Sequence, residues 1–198
     1  MSTDHYDIVV VGAGLSGIGT ACKIATQCPS KRFTVLEARS QLGGTWDLFR
    51  YPGVRSDSDM YTLGFGFKPW TRGHTFANAG TILEYMNETA AEYNIEQHVQ
   101  YDTRLVGISW SSEAAQWTLE LEDAQSGSRR QITSQFLSMC SGYYSYQEGY
   151  TPEFPGVNDF EGDVIHPQKW PEDYIADHKK IVIVGSGATA VTLLPELA

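Results

Sequence analysis

The sequence predicts an α/β fold: a Rossmann-like dinucleotide-binding domain with an antiparallel β-meander, followed by the start of a second Rossmann unit. Three observations lead there. "YDIVVVGAG" joins a β-branched run directly to a glycine turn, "KIVIVGSGATA" repeats that pattern near the other end, and three extended runs separated by turn residues lie between them. Strand, tight glycine turn and helix in that order open a βαβ unit, whose strands run parallel.

The first unit covers residues 6 to 37. "YDIVVVGAG" supplies a buried strand. "LSGIGTACKIATQC" has helical apolar spacing at Leu15, Ile18, Ala21, Cys22 and Ile24, and "RFTVLEA" supplies the second strand. Residues 38 to 77 are rich in Gly, Pro, Trp, Arg and Asp and carry little periodicity. A loop that long in a compact domain usually binds something. A helix is predicted over 79–93, with Ile82, Leu83, Met86, Ala90 and Tyr93 along one side and Asn78 as its cap. "TRLVGISWS" and "QWTLELED" alternate apolar and polar residues, and "RRQITSQFLSMCSG" is a third extended run, together a meander returning into a buried strand. "FEGDVIHPQKWP", residues 160 to 171, has neither period and is predicted as a loop. "KIVIVGSGATAVTLLPELA" then predicts strand, turn and helix. The segmentation that follows is 1–150, 151–178 and 179–198. The second βαβ unit has no return strand, although such a unit takes roughly 30 residues. The 198 residues are therefore expected to be the N-terminal piece of a longer protein.

Composition narrows the function classes. A formal net charge of −10 opposes broad nucleic-acid binding, which needs a basic face to displace counterions from phosphates. Cys22, Cys28 and Cys140 lack CxxC or metal-ligand spacing and are expected to be reduced, mostly buried thiols of a cytoplasmic protein; no metal site is expected. No stretch approaches the ~20 apolar residues of a membrane span. Asn87-Glu88-Thr89 matches a glycosylation sequon but falls inside the predicted helix.

The chemistry concentrates in the glycine turns and the loop between them. Gly12, Gly14 and Gly17 fit GxGxxG: the first permits the turn, the second lets backbone approach a pyrophosphate, and the third lets helix pack on strand. The helix N-terminus adds free N–H groups. Glu37, twenty positions beyond Gly17 at the end of the second strand, can accept hydrogen bonds from a ribose diol. Gly185, Gly187 and Ala190 repeat the pattern as GxGxxA. Because one dinucleotide needs only one such turn, the pair points to a flavin at the first and a nicotinamide nucleotide at the second. In "GGTWDLFRYPGVRSDSDM", residues 43 to 60, Gly43 and Gly44 allow another close backbone approach, Trp46 offers a flat surface, and Arg50 and Arg55 can meet phosphates. Asp57 and Asp59 can orient cations, and Gly142 turns the end of the third extended run where backbone could touch a cofactor.

"FEGDVIHPQKWP" also matches FxGxxxHxxxWP, with Phe160, Gly162, His166, Trp170 and Pro171 in place between two Rossmann turns. On this fingerprint the sequence resembles the type I Baeyer-Villiger monooxygenases. "CSGYYSYQEGY" and "VIVGSGATAVTL" are similar to the subgroup containing the mycobacterial ethionamide-activating monooxygenase. The resemblance implies FAD and NADPH as cofactors, with one oxygen atom of dioxygen inserted into a ketone to give an ester or lactone, and sulfur-containing substrates as a further class. It places Gly12, Gly14, Ser16, Gly17 and Glu37 on the FAD adenosine diphosphate, Thr45, Trp46 and Asp47 along the flavin, and the Leu105 backbone at the adenine. Arg55, Ser56 and Asp57 would border the nicotinamide, with Asp57 the candidate catalytic residue through the family's active-site arginine. Gly185, Ser186, Gly187, Ala188, Thr189 and Ala190 would begin the NADP site. That arginine and most of the NADP domain have no counterpart in these residues, so two alternatives stay open: a non-catalytic FAD-binding fragment, and a flavin-dependent N- or S-oxygenating enzyme. A flavin disulfide reductase would need a cysteine pair that is not present. His166 and Trp170 are expected to organise a hinge at 151–178 and to transfer no proton.

Overall fold

The computed structural model describes residues 4–198. In chain order its elements are β1 (Asp4–Val11), α1 (Leu15–Gln27), β2 (Phe33–Leu36), the four-residue helices α2 (Thr45–Leu48) and α3 (Met60–Leu63), α4 (Ala79–Glu92), β3 (Val99–Gln100), β4 (Thr103–Ser111), β5 (Gln116–Asp123), β6 (Arg129–Met139) and α5 (Ala188–Leu197). Short 3₁₀ turns occur at Glu96–His98, Val157–Asp159 and Pro167–Lys169. The elements fall into two compact units that interleave along the chain. One runs to Gly44 and resumes over Leu83–Gly142, and the other comprises Thr45–Ile82 and Tyr143–Ala198.

The first unit is the predicted α/β layer. Its sheet has the order β3-β2-β1-β6-β5-β4. β1 pairs in parallel with β2 on one side and β6 on the other, while β4, β5 and β6 form the antiparallel meander. The eleven-residue β6 serves both: Arg129–Ser134 lies against β5, and the run up to Met139 lies against β1. β2 is wholly apolar or Thr and buried along its length, as befits a strand between two parallel neighbours. Val9, Leu36, Leu119, Leu121 and Ile132 make the core beneath the meander, with Leu105 and Trp117 packed against it. Gly17, Ile18, Ala21, Cys22 and Ile24 form the buried side of α1.

α4 follows its expectation closely. Asn78 Oδ1 accepts from the Thr81 N–H at 2.8 Å, which caps the helix. Ile82, Met86 and Ala90 are buried as the spacing predicts, joined by Tyr85 and by Thr89, whose hydroxyl donates to the Tyr85 carbonyl at 2.6 Å.

The second unit has less regular structure, and here one expectation is corrected. The strand predicted at 180–184 does not form: those residues belong to no strand, and Val182 and Val184 stand 86% and 74% exposed. An apolar β-branched run becomes a strand only when its N–H and C=O groups find a ladder partner, and none among the described residues lies beside it. In the first unit the expectation of mostly buried thiols is corrected: Cys28 is exposed at the C-terminal end of α1, whereas Cys22 is buried and Cys140 half-buried, and none of the three forms a disulfide. Among the described residues no helix is long and apolar enough to cross a membrane.

Candidate functional site

In the first unit β1, β2 and β6 end together, since Val11 registers with both Leu36 and Met139. Their carboxyl ends are where ligands bind in open parallel sheets. The three glycines of the first turn differ in what requires them. Gly12 sits at φ +102, donates to the Leu36 carbonyl at 2.7 Å, and a Cβ there would lie 2.5 Å from the Cys140 oxygen. A Cβ on Gly17 would lie 1.8 Å from the Gly12 oxygen, so the helix packs on the turn only without one. Gly14 is under no such demand. Its backbone is extended at φ −76°, ψ −172°, and a Cβ would meet only the Gly44 Cα at an ordinary 3.6 Å. Packing explains two glycines and leaves the third, at the N-cap of α1, available for an approaching group.

The surroundings of Gly14 suit an anion. No side chain caps α1, its first turn carries no acidic residue, and Ser16 is exposed in that turn. Glu37 is buried at 6% exposure beside it. Its Oε2 accepts from the Ala13 N–H at 2.7 Å and its Oε1 from the Arg39 N–H at 2.9 Å, so the carboxylate is held in one orientation by backbone. Gly43 donates to the Ala13 carbonyl at 3.0 Å, which brings the Gly43-Gly44 segment against the turn. Gly142, at φ +73 and open to solvent, follows Cys140, whose N–H donates to the Val11 carbonyl at 2.8 Å. Leu105 stands beside a β-bulge, where the β4–β5 register shifts between Leu105 and Gly107, and its side chain packs on the core.

In the second unit Thr45, Trp46 and Asp47 open α2. Asp47 is buried, and its Oδ1 accepts from Arg50 Nη2 at 2.7 Å. Arg55 forms an antiparallel bridge to Asn78, and Ser56 donates from its backbone to the Ala77 carbonyl at 2.9 Å. Ser56 is itself buried, with its hydroxyl donating to the Ser58 carbonyl at 2.6 Å, while Arg55 and Asp57 are exposed on either side. Asp57 contributes to holding the Tyr144 phenol above its usual range, after the larger effects of the Tyr143 hydrogen bond and burial.

The second glycine turn repeats the first. Gly185 takes φ +138, and Gly187 is the N-cap of α5 at φ −77°, ψ −178°, almost the Gly14 values. Val191 donates to the Gly187 carbonyl at 3.1 Å as Ile18 does to Gly14 at 3.0 Å. A Cβ on Gly187 would meet nothing within 4 Å. Ser186 and Ala188 are exposed, and Thr189 and Ala190 half-buried.

The fingerprint segment is built by local packing. His166 Nδ1 accepts from the Gln168 N–H at 3.2 Å at the start of the Pro167–Lys169 turn, and its ring occupies the space a Cβ of Gly149 would need. Gln168 donates to the Ser145 carbonyl at 2.6 Å. Trp170 meets Tyr174 edge-on at 5.6 Å, and Pro171 accepts from the Tyr174 N–H at 3.2 Å. Lys179 lies 4.2 Å over the Tyr174 ring and pairs with Asp163 at 3.1 Å. The Phe160 ring folds over Gly162. Sequence reasoning missed Gly149 and the Asp163–Tyr174–Lys179 group, because their partners lie in other segments.

Two matching glycine turns, each at the head of an uncapped helix, define a Rossmann-type nucleotide-binding protein. The chain belongs to the flavin-binding monooxygenase-like family, whose profile matches residues 67–198, and an NAD(P)-binding Rossmann-like domain profile matches residues 10–78. It is similar to the FAD-containing monooxygenase EthA of Mycolicibacterium smegmatis, with 54% identity over 195 residues covering 98% of this chain and 39% of that protein. EthA of Mycobacterium tuberculosis H37Rv is 52% identical over 196 residues, covering 99% and 40%. Among solved structures, an oxidized steroid monooxygenase bound to NADP superposes with a TM-score of 0.81 at 28% identity, covering 98% of this chain and 36% of that one. The chain thus spans about 40% of the length of these curated relatives. They agree with the resemblance that the fingerprint carries.

Proposed function

We propose that the chain holds FAD at its first glycine turn and begins an NADPH site at its second, in an enzyme that inserts one oxygen atom of O2 into a ketone to give an ester or lactone. Sulfur-containing compounds are a second substrate class, and a cytoplasmic location goes with the reading. In this scheme residues 1–150 belong to the FAD domain, 151–178 to the hinge and 179–198 to the NADP domain. The observation that carries the proposal is Gly14: a glycine that folding does not require, at an uncapped helix N-terminus, beside a carboxylate fixed by two backbone donors.

These residues fit the FAD adenosine diphosphate. The first-turn N–H groups of α1 and Ser16 would hold the pyrophosphate across Gly12, Gly14 and Gly17, and Glu37 would accept from the ribose hydroxyls. Leu105 and Gly142 would border the cofactor with backbone, and Gly44, Thr45, Trp46 and Asp47 would flank the flavin. FAD, when bound, supplies the redox chemistry that activates dioxygen. Arg55 and Ser56 would line the nicotinamide side, and Asp57 would orient a cationic group there. The turn from Gly185 to Ala190 would receive the NADPH pyrophosphate. Phe160, Gly162, His166, Trp170 and Pro171 would act as a shaped hinge; His166 uses one ring nitrogen on the Gln168 N–H, which suits a structural part.

The test is isotopic. With the whole FAD-loaded protein, NADPH and cyclohexanone under ¹⁸O2, one labelled oxygen is expected in the lactone, and these 198 residues alone are expected to give little or none. Flavin binding with NADPH oxidation but no labelled lactone or sulfoxide would leave a nucleotide-binding protein without the oxygenase activity.

A further inference from the structure

We infer that Gly53 is a positioning residue that seats the Arg55–Asp57 segment against α5, tying the second glycine turn to the residues that would face the nicotinamide. This rests on the functional reading for what those residues bind. The geometry itself is independent of that reading. Gly53 takes φ +75 in the turn closed by the Val54 N–H donating to the Tyr51 carbonyl at 3.3 Å. A Cβ there would lie 2.3 Å from the Thr192 carbonyl oxygen and 2.6 Å from Glu196 Cγ. The loop therefore touches the helix backbone itself. Thr192 is four residues into α5, so the contact falls about 6 Å along the helix from its first residue, at the rise of an α-helix.

The other side of the loop is also fixed. Ala79 donates to the Val54 carbonyl at 3.0 Å, Arg55 bridges to Asn78, and Ser56 donates to the Ala77 carbonyl. Residues 53 to 57 are thus braced between α5 and the 77–79 segment. A ligand whose pyrophosphate sits at Gly185–Ala190 and whose ring reaches Arg55–Asp57 meets two groups whose spacing Gly53 sets. A side chain at Gly53 must push α5 and the loop apart, because the blocking atom is backbone and has no rotamer to escape into.

The experiment titrates the FAD-saturated chain with NADP+ and compares Gly53→Ala with Gly156→Ala. Gly156 has a similar φ of +81, but its nearest atom to a Cβ is Asp159 Oδ2 at 3.7 Å, so that variant carries the backbone strain without the collision. Gly53→Ala is expected to weaken NADP+ at least tenfold while FAD affinity stays within twofold, with Gly156→Ala matching the parent. Adding Glu196→Ala to Gly53→Ala, which removes the side-chain part of the collision, is expected to restore part of the loss. Unchanged NADP+ affinity in Gly53→Ala, or an equal loss in Gly156→Ala, overturns the inference and leaves the functional reading intact. A parent chain that binds FAD but not NADP+ overturns the reading of the second turn, and the inference with it. Should Gly53→Ala not fold, hydrogen exchange of the parent decides: NADP+ is expected to protect residues 54–57 and 189–193 together, and protection of 189–193 alone overturns the inference.

Discussion

Replacing Gly14 by alanine separates a glycine kept for a ligand from a glycine kept for packing. In the folded chain the new methyl meets only the Gly44 Cα at 3.6 Å, and φ −76°, ψ −172° is open to any residue. Loss of the N-cap preference costs about 0.5–1 kcal/mol, and the stiffer unfolded chain returns about 0.4–1 kcal/mol, so stability changes by less than about 1 kcal/mol. The same methyl stands where backbone must approach the pyrophosphate. A loss of at least 100-fold in FAD affinity is expected, about 2.8 kcal/mol at 1.4 kcal/mol per tenfold. Gly17→Ala is the opposite case: its methyl lies 1.8 Å from the Gly12 oxygen, and relieving that overlap costs about 3 kcal/mol or more. Thermal melts followed by circular dichroism, with FAD titrated by flavin fluorescence, measure both quantities on each variant. Wild-type FAD affinity in Gly14→Ala would refute the assignment, because a glycine that packing does not require would then not be required by the ligand either.

Glu37→Gln turns one carboxylate oxygen into an NH2 facing a backbone donor, at Ala13 or Arg39. A stability loss of about 1–3 kcal/mol and roughly tenfold weaker FAD binding are expected from denaturation and titration. Leu119 is fully buried in the core beneath the meander, and Leu119→Ala should lose about 2–5 kcal/mol in urea denaturation. Four aspartates are held below the ordinary carboxylate range: Asp7 chiefly by the Arg32 N–H, Asp59 by the Thr62 hydroxyl, Asp123 by the Ser126 N–H and Asp163 by Lys179. A lowered native pKa makes the unfolded chain bind more protons in this range. The contribution is therefore complete above about pH 5, a unit above the unfolded value of about 4, and is lost progressively as pH falls through that value and then through the lower native ones. Melting temperatures at pH 7, 5.5 and 3 should be level between the first two and fall at the third.

The sequence reveals those parts of the fold in which neighbours in the chain decide the structure. β1, α1 and β2 were legible because a β-branched run, a glycine turn and a 3.6-residue period leave few alternatives, and α4 was legible from its cap and spacing. The interleaving of the two compact units was not, because Thr45–Ile82 joins Tyr143–Ala198 through contacts that leave no local pattern. The run at 180–184 misled because β-propensity describes a residue that already has a ladder partner. The glycine turns were recognisable as motifs, yet only the geometry separates Gly12 and Gly17, which packing requires, from Gly14. Gly53 carried no signal at all: its reason lies 139 positions away (192 − 53) at the Thr192 carbonyl.

Competition binding decides whether the first glycine turn holds the adenosine diphosphate half of FAD. FAD titrated into the chain should bind at one equivalent, with ADP displacing it competitively and FMN, which lacks the adenosine half, failing to do so. Displacement by FMN but not ADP, or no FAD binding by a folded chain, would contradict the account.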